Sequence, residues 1–266
     1  IFSIEFEWDS AAYVSFVQGM ESTKMYIKPN DEIQLTINTE RFDETIKYTG
    51  SDECNYLAWQ YLYNEEMEWP NFMDLPLEEV DSIFRSTVEP FIRRAGRFQE
   101  SNPDFYASIL SDYDASIEYI KSRIEALAAL PQPGEDAIDF TFPDRDGNEI
   151  SLSDYVGSFV YVDVWATWCG PCVYEVPHLI ELEEDYHGKN ITFIGISVDK
   201  DSAAWTSFVD ENAMQGIHLN TGGWQSQLMD DYAINGIPRF MVFDKNSKVV
   251  DLDAPRPSSD KIRPLL

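Results

Sequence analysis

The sequence predicts an α/β domain over residues 132–266, a central mixed sheet flanked by helices with an N-terminal β-hairpin extension. An accessory domain of β-strands followed by helices precedes it, over residues 1–131. Three observations lead there. After residue 132, strand-like and helix-like runs alternate, which calls for a sheet covered on both faces. Before it, residues 1–50 pattern as strands and residues from about 53 to 130 as helices. Between them, Leu130-Pro131-Gln132-Pro133-Gly134 ends a helical pattern with two prolines and a glycine, the clearest boundary in the chain.

In the first part, Ile1-Phe2-Ser3-Ile4-Glu5-Phe6-Glu7 already alternates like a strand, which makes the N-terminus look trimmed and leaves any signal or lipid anchor out of sight. Lys24–Pro29 reads as a strand stopped by the turn cluster Pro29-Asn30-Asp31, and Glu32–Asn38 alternates as a strand with one wet face. Tyr56–Leu62 is apolar at helical spacing. A second helix starts at Leu77, and Pro90 is expected to kink or break it. A third runs from about Asp104 to Leu130, with Ile109, Tyr113, Ile117, Ile120, Ile124 and Leu127 on one stripe.

In the second part, Phe140-Thr141-Phe142 and Glu149–Leu152 flank Asp144-Arg145-Asp146-Gly147, a hairpin signal. An apolar strand over 158–165 feeds a helix. Ile191–Val198 is continuously apolar, as a buried parallel strand should be. A helix over about 202–213 and a short one near Trp224–Asp231 follow. Arg239–Asp244 and Lys248–Asp251 form a second hairpin around Lys245-Asn246-Ser247, and a final helix is expected from about Ser259.

The composition, 44% hydrophobic and 14% aromatic, is enough for a core in each part. The net charge of −29 divides into −15 over residues 1–131 and −14 over residues 132–266. An acidic surface of that extent argues against nucleic acid and anionic membrane surfaces as partners and otherwise reads as solvation. No run approaches the length of a membrane-spanning helix. Three cysteines are too few for a disulfide framework. Cys54 stands alone at the head of a helical pattern and reads as an ordinary side chain, with a regulatory or intermolecular thiol as the alternative.

The other two cysteines carry the chemistry. Trp168-Cys169-Gly170-Pro171-Cys172 sits between the strand Phe159–Trp165 and a helical pattern beginning at Val173. That arrangement puts the first sulfur at a helix N-terminus, where unpaired N–H groups and the helix dipole favour a thiolate. The second sulfur, one turn on, can resolve a mixed disulfide. A zinc site would want four ligands, and Cys54, His178, His187 and His218 supply no second close pair. A purely structural disulfide would not need this context. Disulfide exchange is therefore favoured, with no metal and no cofactor.

Asp163 lies in the apolar strand six residues before Cys169. A carboxyl there is costly unless paired or protonated, so its pKa should rise, which suits a proton acceptor for Cys172. A solvent-facing Asp is the alternative. Glu175, one turn after Cys172, reads equally as a second proton-handling carboxyl or as a surface residue. Pro177 should kink the helix, and His178 reads as packing or surface. Pro238, in Gly236-Ile237-Pro238, has a trans peptide bond as its local default.

Together, Val162–Cys172, Glu175, Pro177 and Gly236-Ile237-Pro238 resemble the thioredoxin fold. The resemblance is closest to the TlpA/ResA-like, AhpC/TSA-related thiol-disulfide oxidoreductases of bacterial cell envelopes, and it covers about residues 133–266. Asp139–Asp144, Leu152–Tyr155 and Ala254–Ser258 also match. The resemblance implies Cys169 as nucleophile, Cys172 as resolving thiol, Asp163 as the buried acid and Glu175 as the acid of the ResA-like branch. It makes Pro238 cis and sets Ile237 and Pro238, with Trp168, Gly170 and Pro171, against the substrate. It further implies a disulfide-bearing protein substrate, a membrane or envelope electron donor, and a periplasmic or envelope location with a role like that in cytochrome c maturation. Tyr26–Ile33 and Tyr48-Thr49-Gly50 are similar to the end of a β-sandwich module that precedes many such domains, implying docking, spacing or a homodimer through the N-terminal domain.

Gly170-Pro171 is the thioredoxin dipeptide. Thioredoxin is poised near about −270 mV, against about −120 mV for a strong oxidant of the same fold. A reductase is the expected direction, with an oxidant or isomerase as the alternative. A peroxidase needs Pro and Thr where Val162 and Ala166 stand, and a non-enzymatic binding module would not keep both cysteines with Asp163 and Pro238.

Overall fold

The computed structural model describes Glu5, Glu7 and residues 9–266. The expected strand over residues 1–7 falls largely outside the described residues. The chain divides into two compact units, Ile1–Ile124 and Glu125–Leu266.

In the first unit, β1 (Ala12–Gln18) and β2 (Glu21–Ile27) form an antiparallel hairpin in which Ala12 pairs with Ile27 and Gln18 with Glu21. The strand expected over Glu32–Asn38 shrinks to β3 (Gln34–Thr36), which pairs after the short helix α1 (Phe42–Thr45) with β4 (Lys47–Thr49). Among the described residues these strands make two separate two-stranded sheets, not a sandwich. Gly50 closes this region at φ +91°, and a Cβ there would sit 2.1 Å from the Glu32 carbonyl oxygen. Only glycine tolerates both conditions.

The helices follow: α2 (Asp52–Glu66), α3 (Leu77–Ala95), α4 (Phe98–Ser101) and α5 (Pro103–Ala128). Ser51 caps α2, its hydroxyl accepting from the Cys54 N–H at 3.1 Å. Pro90 does not break α3. Val80, Phe84, Val88, Phe91 and Ala95 are buried along one stripe, and Ser86, four residues before the proline, is exposed, so water can satisfy the carbonyl that loses its donor. Aromatic rings fill the core: Phe105 lies 4.7 Å from Tyr26 and 4.9 Å, edge-on, from Phe98. Cys54 is free and buried, its thiol donating to the Tyr26 carbonyl, and burial pushes its pKa up. That environment is the opposite of a reactive thiol's.

The second unit opens with the hairpin β5 (Thr141–Pro143) and β6 (Glu149–Ser151). Its turn is held by Asp144, whose Oδ1 accepts from the N–H groups of Asp146 and Asn148 at 2.8 Å each. Then come β7 (Phe159–Trp165), α6 (Gly170–Asp185), β8 (Ile191–Ser197), α7 (Ser202–Glu211), β9 (Ile217–Asn220), α8 (Gln227–Asp231), β10 (Arg239–Phe243) and β11 (Val249–Asp251). The five-stranded sheet has the order β11-β10-β7-β8-β9. β7, β8 and β9 are parallel, and β10 runs antiparallel to β7. β7 is central, and six of its seven residues are buried. The sheet is mixed and helix-covered, as expected. The helix expected after Ser259 is replaced by turns closed by Ile262 N–H to Ser259 O and Leu265 N–H to Ile262 O; Pro264 has no N–H to continue a ladder.

An ion pair with a buried carboxylate and a half-exposed lysine links the end of β2 to α2 in the first unit. Lys28 Nζ lies 2.6 Å from Glu53 Oε1, and Asn102 Nδ2 donates to the same oxygen at 2.7 Å. Burial works against the Glu53 charge, but these hydrogen bonds outweigh it and hold the carboxyl below the usual glutamate range. A depressed carboxyl stabilises the fold above its unfolded pKa, and the contribution is lost as pH falls through the folded one. Glu53→Ala is expected to cost about 2 kcal/mol at pH 7, read as roughly 30-fold faster hydrogen exchange of the α2 amides. The difference should shrink below about pH 4. Equal exchange in both proteins at pH 7 would remove this pair from the account.

Candidate active site

β7 ends at Trp165, and the chain turns through Ala166-Thr167-Trp168 into α6, for which Cys169 is the N-cap. Cys169 has extended backbone angles, φ −87° and ψ 98°, so its sulfur faces the open end of the helix. Pro171 sits in the first turn, where a missing N–H costs nothing. Cys169 and Cys172 are joined in a disulfide with their Cα atoms 5.2 Å apart. The Cys172 N–H donates to Cys169 Sγ at 3.2 Å. A sulfur thus fills the place a capping oxygen normally takes. Cys169 is 6% exposed and Cys172 is 2% exposed. Of the two residues, Cys169 is the more exposed.

The turn before the motif is fixed from below by a polar cluster. Thr167 donates to both oxygens of Asp199, through its N–H at 2.9 Å and its hydroxyl at 2.7 Å. Ser197 Oγ donates to Asp199 Oδ2 at 2.7 Å, and Asn220 Nδ2 reaches Ser197 Oγ at 3.3 Å. Asp199, Ser197 and Asn220 are buried. Three strand ends therefore set the height at which Cys169 meets solvent. Sequence reasoning missed this cluster: Thr167 and Asp199 lie 32 residues apart, and only the parallel pairing of β7 with β8 joins them.

On the other side of the disulfide lies the Ile237–Pro238 turn, whose peptide bond is cis, as the family resemblance implies. The Ile237 carbonyl oxygen is 3.8 Å from Cys169 Sγ. Ile237 and Pro238 are half-buried, Gly170 and Pro171 are exposed, and Trp168 is 64% exposed. Trp168 and Gly170 adjoin Cys169 in the chain, and the Ile237 carbonyl is placed beside its sulfur. His178 is half-buried with its ring against Tyr174, in keeping with a packing role.

The two acids behind the motif differ sharply. Asp163 is 5% exposed, pairs in register with Gly195 and Phe240, and its Oδ1 has no hydrogen-bond partner. Burial first, and then the charges of Glu175 and Glu183, push its pKa up to about 8. The alternative of a solvent-facing Asp is therefore excluded. Glu175 is 2% exposed, not a surface residue. It accepts from the Ser258 N–H at 3.0 Å and the Ser258 hydroxyl at 2.9 Å, with Arg256 Nη1 3.8 Å away. The Ala254–Ser258 segment is itself anchored, through Tyr161 OH to Pro255 O at 3.0 Å and Ala254 N–H to Phe240 O at 2.9 Å. The 83 residues between Glu175 and Ser258 hid this partner from sequence reading, although both matched the family pattern. Among the described residues no group of three or more His, Cys, Asp or Glu side chains could hold a metal.

This geometry has close relatives in sequence. The Redoxin family model matches residues 132–262. Thiol-disulfide oxidoreductase ResA of Bacillus anthracis, and that of Bacillus thuringiensis strain Al Hakam, are each 30% identical over 121 residues, covering 45% of this chain and 68% of the relative. The chain belongs to the ResA-like thiol-disulfide oxidoreductases. Solved structures similar to this member include a proposed thiol-disulfide oxidoreductase of Bacteroides vulgatus, at 39% identity and a TM-score of 0.47, covering 50% of this chain and 94% of that one. Another is a thiol-disulfide oxidoreductase of Bacteroides fragilis NCTC 9343, at 25% identity and a TM-score of 0.46, covering 50% and 100%. All these matches fall on part of the chain, and the family's chemistry is dithiol–disulfide exchange.

The Asp163 carboxyl gives a measurable consequence. Its folded pKa, about 8, lies above its unfolded value. The folded state therefore binds the extra proton, and stability falls as pH rises from about 4 to 8, then levels. Asp163→Asn keeps the shape and removes the charge. In the oxidised protein it should raise stability at pH 7 by up to about 4 kcal/mol and change little near pH 4. Urea midpoints at the two pH values check this; a gain that is the same at both would mean Asp163 is not the group titrating.

Proposed function

We propose that the protein reduces disulfides in protein substrates outside the cytoplasm, through Cys169 and Cys172. The observation that carries this reading is the Cys169 sulfur itself. It caps α6, accepts the Cys172 N–H and lies against the Ile237 carbonyl. In the reduced protein the same N–H and the helix dipole would favour the Cys169 thiolate.

The exchange runs in two displacements. The Cys169 thiolate attacks one substrate sulfur; a new Cys169–substrate disulfide forms, the substrate disulfide breaks, and the second substrate sulfur leaves as a thiolate that takes a proton from water. The Cys172 thiol then gives its proton to Asp163 and attacks Cys169 Sγ. The Cys169–Cys172 bond forms, the mixed disulfide breaks, and the first substrate sulfur leaves as a thiolate that is protonated as Asp163 gives its proton back. Two electrons pass to the substrate, and the protein ends in the oxidised state described here. With a pKa of about 8, the Asp163 carboxyl exchanges protons near neutral pH, as a general base for a buried thiol must. Glu175 stands as the second, fixed carboxyl behind it. Trp168, Gly170, Pro171, Ile237 and Pro238 frame the substrate chain at the sulfur.

Reduction rather than oxidation follows from Gly170-Pro171, the dipeptide of a strongly reducing relative. Disulfides accumulate outside the cytoplasm, which supports a periplasmic or envelope location. Turnover then requires a dithiol donor at the membrane or envelope. No helix among the described residues is long and apolar enough to cross a membrane. We assign residues 1–131 as an accessory domain that docks partners or a second copy.

Trapping tests the assignment of the two thiols. Cys172→Ser should accumulate stable mixed disulfides on Cys169 that a non-reducing gel resolves and dithiothreitol releases. Cys169→Ser should trap none. Adducts that form equally in both variants would reverse or abolish the assigned roles. Equilibration of the wild-type pair against glutathione should place its potential below about −200 mV, and a value above about −150 mV would make it an oxidant.

A further inference from the structure

The buried positions of α6 are Cys172, Glu175, Val176, Leu179 and Leu182. The line Pro171, Tyr174 and His178, spaced i, i+3 and i+7, runs along another face that leaves the disulfide toward solvent. Tyr174 is 67% exposed, close to the 64% of Trp168. In the second unit the large hydrophobic side chains this exposed are Trp168, Tyr174 and Val156. Two of the three thus flank the redox pair. His178 backs the tyrosine, its ring centroid 5.6 Å away. Large rings left in water beside a reactive centre mark a contact surface.

Distance says what that surface can reach. Tyr174 lies five helical residues beyond Cys169, about 7.5 Å along the axis. Two residues of extended chain cover about 7 Å. We infer that Tyr174, backed by His178, extends the docking surface beside Cys169 and takes an aromatic or large aliphatic side chain of the substrate polypeptide, about two residues from its reacting cysteine. The inference rests on the exchange reading above and adds to it a substrate preference. The occupant is the polypeptide bearing the target disulfide, because the aromatic line is continuous with the sulfur that polypeptide must reach.

Short cysteine peptides joined to glutathione by a disulfide test this. One peptide carries Phe two residues from the cysteine on both sides, and the other carries Ser there. Reduced full-length protein is mixed with each, and the second-order rate is read by stopped-flow tryptophan fluorescence. The wild-type protein should react with the Phe peptide about tenfold faster. Tyr174→Phe should keep that preference and Tyr174→Ala should bring it near unity. Equal rates for the two peptides in the wild-type protein, or an undiminished preference in Tyr174→Ala, would overturn the docking surface alone. A wild-type protein that reduces neither peptide would overturn the exchange reading itself, and this inference with it.

Discussion

A sulfur atom in the place of a capping oxygen is the interaction on which the second unit turns. An N-cap normally supplies an oxygen to a free helix N–H. Here the side chain is Cys169, and the donor is the N–H of Cys172. The capping geometry needs an extended residue directly before the helix, so β7 must stop short of it and the turn Ala166–Trp168 must have a fixed height. The Thr167–Asp199–Ser197 cluster provides that height. The cluster in turn needs β8 beside β7 in parallel register, because Ser197 pairs with Trp165 at the strand ends. The central sheet, the polar cluster and the cap form one chain of dependence that ends at the Cys169 sulfur.

The sequence carries some of this openly. A continuous apolar run announces β8, an Asp-Gly turn announces the β5–β6 hairpin, and the spacing of Ile109, Tyr113 and Ile117 announces α5. These are local signals, set by the period of the element itself. What stayed hidden depends on partners far along the chain. β9 is four residues long, with His218 and Asn220 among them, and becomes a strand only because β8 offers it an edge. Pro90 is a break signal by local rules, yet the buried stripe from Val80 to Ala95 carries α3 past it. The turns after Ser259 lack what a helix needs once Pro264 is counted. At the site, the cysteines and the raised Asp163 were legible from the motif and from an acid set in an apolar strand. The Ser258 and Asp199 partners were not, since each joins segments tens of residues apart.

Glu175 shows how far a motif residue's environment can depend on such distant partners. One turn beyond Cys172 on a helix, it could have faced water. Its carboxyl is instead enclosed, with one hydrogen bond to each oxygen from Ser258 and a guanidinium nearby. Asp163, close by in electrostatic terms, has an oxygen with no partner and holds its proton to about pH 8.

The contrast between the two acids follows from where their hydrogen-bond donors are. β7 lies between β8 and β10, so the backbone around Asp163 is committed to strand pairing and has no N–H to spare. Glu175 is on a helix facing a turn, and a turn has free donors, which Ser258 supplies. Fixed negative charge on the Glu175 side raises the cost of a second charge at Asp163. Asp163, set in a strand whose backbone is taken up by pairing on both sides, is left with an oxygen that has no hydrogen-bond partner.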